Sequence, residues 1–243
     1  MAGMITVTLV AVAVLLDEDI GKAKKKPPLR SILSKSSAIN RLAAARFFLF
    51  GSRDIWFVVA LPVFLDDVLG WSFEGIGAFL AVWVIGYGIV QSAAPRFLRR
   101  SSVGVAGHEG EVGAARTWAL TLTVVSALIA IAVAFDLATT VAVVGGLVVF
   151  GVVFAVNSSL HSYLILAYAE GDDVSLDVGF YYSANAAGRL VGTLLSGLLY
   201  LGGGLDAALS GSAAFVAVTW LLTLRLPAIR TTSMVSSEAQ PAE

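Results

Sequence analysis

The sequence predicts an all-α membrane protein, and three observations carry that prediction. Hydrophobic residues make up 58% of the 243-residue chain and charged residues only 14%, against roughly 45–50% and about 25% in soluble domains. Mean hydropathy is +0.86. Six apolar stretches are each long enough to cross a bilayer core of roughly 30 Å, which takes about 20 residues of helix. A soluble fold of this size has no interior large enough to hide that much apolar surface. The same figures exclude a disordered chain, a coiled coil and a disulfide scaffold.

The elements follow in chain order. Residues 4–16 are apolar but reach only about 20 Å as a helix, too short to span, and read as the tail of a helix that begins earlier. No basic residue precedes them and Asp17-Glu18-Asp19 follows, which is wrong for a signal peptide. Residues 17–41, with Lys24-Lys25-Lys26-Pro27-Pro28 and scattered serines, read as a basic cytoplasmic connector. The six expected spans fall at 42–65, 73–94, 117–135, 140–169, 178–201 and 207–224, so that 42–226 forms one transmembrane domain. Residues 227–243 read as a polar cytoplasmic tail.

Orientation follows from where lysine and arginine lie. Residues 17–41 hold seven, the 95–116 loop holds four, and Arg225 and Arg230 follow the last span. Those thirteen fall on one side of a six-span topology, while the opposite loops offer only Asp66, Asp67, Asp136 and Asp206. The basic side is therefore expected in the cytoplasm. The acidic 170–177 loop departs from the pattern, but acidic residues weigh little in the rule.

The other three basic residues, Arg46, Arg53 and Arg189, lie inside spans. Arg53 and Arg189 each sit about halfway along, where an arginine costs about 2.5–3.5 kcal/mol on insertion scales. One reading is an anion site in a water-filled cavity, since the guanidinium fork stays charged and donates paired hydrogen bonds to oxyanions. The other is a structural ion pair with Asp54. Three arginines against one intramembrane carboxylate leave positive charge over, which favours the anion site. Arg46, nearer the cytoplasmic end, either joins that site, gates it or snorkels outward.

Other polar residues accompany the arginines. On the fifth span Tyr181, Asn185, Arg189 and Thr193 recur every four residues and share one face, beside a small-residue stripe of Ala184, Gly188, Gly192 and Ser196 that permits close helix approach. Asn157 and Asn185 either bind ligand or join helices. His161 and Asp54 are the candidates for proton coupling, with hydrogen bonding inside the bundle as the plainer role for His161. Trp83, Tyr87 and Gln91 line one face of the second span, as cavity wall or as packing. The third and sixth spans carry no ionisable residue and are expected to face lipid or support the others.

Covalent and cofactor chemistry find little footing. The chain has no cysteine and only two histidines, so thiolate centres and a bis-histidine haem within the membrane are excluded, and no metal or cofactor is expected. A Ser196–His161 protease pair lacks any motif. Net charge is −1, which offers no field for nucleic acid. Transport rather than catalysis is the expected activity.

Several strings bear a resemblance. A helix end, a basic loop and six spans resemble the C-terminal half of a major facilitator superfamily transporter, and Gly88 with Pro95-Arg96-Phe97-Leu98-Arg99-Arg100 is similar to a degenerate copy of that family's basic loop motif, lacking its Asp. The strings Gly51-Ser52-Arg53-Asp54-Ile55-Trp56-Phe57-Val58-Val59-Ala60-Leu61-Pro62-Val63-Phe64 and 179–197 (GFYYSANAAGRLVGTLLSG) resemble the organoarsenical efflux permeases of bacterial arsenic-resistance operons. The resemblance implies a multi-pass protein of the bacterial inner membrane that exports 1-arseno-3-phosphoglycerate, made when a glyceraldehyde-3-phosphate dehydrogenase uses arsenate. It also implies a missing N-terminal half, a separate partner chain or a second copy. The alternatives are export of another phosphorylated metabolite or drug, and a non-transporting membrane assembly domain.

Overall fold

The structure, a computed structural model, describes residues 6, 36–101, 109–169 and 174–229. Apart from residue 6, the expected helix tail lies outside the described residues, as do residues 17–35 of the connector and the tail beyond Ile229. Among the described residues there is no strand. Beyond residue 33 the helices are α1 Ser37–Phe57, α2 Ala60–Asp67, α3 Phe73–Ser101, α4 Glu109–Ala134, α5 Thr139–Tyr168 and α6 Val174–Leu224. Taking α1 and α2 as one segment, five helices among the described residues are long and apolar enough to cross a membrane.

Local chemistry sets the starts. Ser36 caps α1, its hydroxyl accepting from the Ile39 N–H at 3.5 Å. Ser72 does the same before α3 for Gly75 at 3.2 Å, as short hydroxyl side chains do at helix N-termini.

The expected 42–65 span is broken. α1 ends at Phe57 and α2 begins at Ala60, because Pro62 can neither donate to the Val58 carbonyl nor avoid crowding it. The break leaves the N–H groups of Val59 and Ala60 outside the helical ladder. Both donate to the Ser196 hydroxyl oxygen, at 3.2 and 3.1 Å.

α6 runs 51 residues and holds both of the last two expected spans. Helical backbone fails at Gly203 and Gly204, and Gly204 has φ +65°, a left-handed conformation that glycine adopts without steric cost. Phe47, Gly51 and Val59 of the α1 segment meet Gly188, Gly192 and Ser196 in that order. Arg41, Ala45 and Phe48 meet Arg225, Thr219 and Phe215 in the reverse order. The two arms of α6 therefore run in opposite senses along α1, and Leu199 packs on Gly211 across the bend.

α1 packs chiefly on α6, α4 lies against α6 and α5, and α3 leans on α5. α3 is the least enclosed helix, with Phe73, Val82, Ile85 and Ile89 all more than 60% exposed. Its polar face turns inward: Trp83 is buried and donates from Nε1 to the Leu147 carbonyl at 2.9 Å.

At one end of the bundle three donors converge on consecutive carbonyls. Arg41 bonds the Arg225 oxygen at 2.9 Å, Arg116 the Leu226 oxygen at 2.8 Å, and Tyr168 the Pro227 oxygen at 2.6 Å. Arg41, Arg116 and Arg225 thereby gather at one end, as the charge pattern of the loops implies.

Candidate anion-binding site

Two polar groups are built around the same helix. The first joins α1 to α6. Asp54 is 1% exposed, and its two oxygens are held by different arginines. Arg53 meets Oδ1 through Nε at 2.7 Å and Nη2 at 2.6 Å, and Arg189 meets Oδ2 through Nε at 3.1 Å. Residues 53 and 54 leave a helix about 100° apart, yet the long arginine side chain wraps back to its neighbour. α6 supplies Arg189 at this level because Gly188 and Gly192 let its backbone rest on that of α1.

The second group lies two turns away along α1. Arg46 is 4% exposed and donates from Nη1 to both the carbonyl and the hydroxyl of Ser158, at 3.0 and 3.2 Å. Gln91 donates to the same hydroxyl at 3.2 Å, so α1, α3 and α5 meet at Ser158. The Arg46 guanidinium carbon stands 5.1 Å from the ring centre of Tyr181, itself fully buried. Arg46 is drawn into the bundle rather than snorkelling outward. Among the described residues no carboxylate pairs with it.

Phe50 links the two groups. Its ring centre is 4.0 Å from the Arg46 guanidinium carbon and 5.2 Å from that of Arg53, both within cation–π range. Phe154 adds a second ring 5.5 Å from Arg53. An aromatic wall of Phe150, Phe154, Tyr87, Trp83 and Phe57 continues beside them.

The remaining candidates divide. Asn157 is buried and gives both amide hydrogens to carbonyls, of Trp118 on α4 at 2.9 Å and of Val153 at 3.0 Å, which joins helices. Its Oδ1 has no partner. Asn185 is half-buried one turn before Arg189, with its Oδ1 unpartnered. His161 is fully buried and neither ring nitrogen has a partner. Sequence reasoning did not single out Ser158, although a polar Asn157-Ser158-Ser159 triplet inside so apolar a span marks it. Among the described residues no cluster of potential metal ligands exists.

Neither a protein-family model nor a curated protein matches this chain. The chemical reading therefore rests on the residues. Arg46, Arg53 and Arg189 against Asp54 make a cationic group inside apolar helices, with one arm, Arg189, 55% exposed.

Proposed function

We propose that the chain is the cargo-binding unit of a facilitator-type exporter and that its cargo is an organic oxyanion. The observation that carries this is the charge balance. Three arginines lie in apolar helices and the one carboxylate among them is already shared by two. Positive charge in a low-dielectric interior is costly alone and attracts an anion strongly. A guanidinium fork suits phosphate, arsenate or carboxylate better than a point charge does.

The resemblance narrows the class to an arsenate ester such as 1-arseno-3-phosphoglycerate, with an oxyanion at each end to match the two cationic groups, one at Arg46 and one at Arg189. Extruding it would clear arsenate that a glyceraldehyde-3-phosphate dehydrogenase had fixed. Counting the arms of α6 separately gives six passes. Alternating access rocks two such units about a midplane site, so a second six-helix unit, either a distinct half or another copy, completes the carrier. The setting is the bacterial inner membrane with the basic end cytoplasmic.

The test is arsenate resistance in a sensitive bacterium that makes the dehydrogenase, with and without a co-expressed N-terminal six-helix unit. Resistance with both units, lost in Arg189→Gln at normal membrane abundance, is the expected result. Full resistance from a monomeric chain alone contradicts the two-unit carrier. Unchanged resistance in Arg189→Gln contradicts the anion site.

A further inference from the structure

The arginines around Asp54 are not equivalent. Arg53 is 13% exposed and commits Nε and Nη2 to Asp54, while Phe50 and Phe154 stand beside its guanidinium. Arg189 is 55% exposed and commits only Nε, at 3.1 Å. Every other donor of Arg189 is without a bond among the described contacts, and those two terminal nitrogens are the ones that bind an oxyanion side by side.

We infer that the two residues divide the work: Arg189 is the arm that grips the anion, and Arg53 with Asp54 is the mount that aims it. Asp54 holds the Nε edge of Arg189 and so turns its terminal nitrogens toward the open face. Arg53 keeps Asp54 from closing onto both edges of Arg189, because a carboxylate already held by two bonds has one oxygen left to offer. Arg53 is then a positioning residue that never touches the cargo. This assignment rests on the anion-site reading and deepens it.

The roles separate in double variants. The full chain in lipid nanodiscs is tested for binding of radiolabelled 3-phosphoglycerate, a stable two-ended anion, and for its melting midpoint. Arg189→Gln should weaken binding about tenfold or more, the worth of a charged hydrogen bond, with the midpoint unchanged. Arg53→Gln should lower the midpoint by leaving the buried carboxylate only the more exposed Arg189 as a charged partner, and weaken binding as Asp54 claims both edges of Arg189. Adding Asp54→Asn to Arg53→Gln removes the under-paired charge, while the asparagine Oδ1 can still accept from Arg189 Nε and keep its aim; the midpoint should be restored, and binding to within about threefold of wild type. Arg53→Lys should also bind nearly normally, whereas Arg189→Lys should not, since ammonium lacks the planar fork.

Binding as poor in the Arg53→Gln/Asp54→Asn pair as in Arg189→Gln would overturn the division, because both arginines would then touch the anion. So would a midpoint lowered equally by Arg189→Gln and Arg53→Gln, which would put Arg189 in the scaffold. A wild-type chain that binds no anion overturns the anion-site reading and this assignment together, which distinguishes the two failures.

Discussion

Gly188 lies directly against the carbonyl of Phe47, backbone on backbone, with no room for a methyl group between them. One turn on, a Cβ added to Gly192 would stand 2.5 Å from the Gly51 carbonyl oxygen. This approach sets the level at which Arg189 reaches Asp54. Gly188→Ala should therefore destabilise the protein by about 1–3 kcal/mol, the usual cost of overpacking. Gly197, whose Cβ would meet nothing within 4 Å, is the control, and its change to Ala should be neutral or slightly stabilising. Thermal melting of both in detergent checks this.

Ser196→Ala should cost about 1–3 kcal/mol by leaving two backbone donors of the α1–α2 break unsatisfied. The exposed Ser183, whose hydroxyl bonds only the Gly179 carbonyl one turn back, should tolerate the same change. A melting curve for each variant compares them. Equal midpoints would mean that Val59 and Ala60 find other acceptors.

Arg46→Met should leave the melting midpoint unchanged or raise it while export of the oxyanion fails. Methionine fills similar space without burying a charge, and replacing a buried ion by an apolar side chain is often neutral or stabilising. Ser158 keeps Gln91 as a partner. A lowered midpoint would make Arg46 a structural tie between α1 and α5.

Single cysteines at Ser72 and Ala228 should be labelled by a membrane-impermeant thiol reagent from opposite faces, Ser72 outside and Ala228 inside. The native chain has no cysteine, so labelling is specific. Both labelled from one face would overturn the six-span topology, and the reversed pattern would overturn the orientation drawn from charge.

Membrane character was legible because composition alone decides it, and helix positions because apolar runs between turns are long. α5 at Thr139–Tyr168 differs from the expected 140–169 by a single residue at each end. The break before Ala60 was not legible as a break, because a proline inside an apolar run is common in spanning helices. What satisfies it, Ser196, is far away in sequence. At the site, the face shared by Arg189 and Asn185 follows from helical period. The Arg53–Asp54 pair does not, since neighbours on a helix point apart and only a long side chain closes the gap. Burial of Arg46 depends on Ser158 and Gln91 arriving from two other helices, which no local pattern encodes.

The run of three carbonyls at residues 225–227 has a mechanical consequence. They follow one another along a single stretch of backbone, while their donors belong to α1, α4 and α5. The stretch works as a purse-string drawn through three helix ends. Displacing it frees all three ends at once, and none can spread alone without straining the cord that holds the others. Any widening of this end is thereby shared by α1, α4 and α5 rather than made by one helix alone.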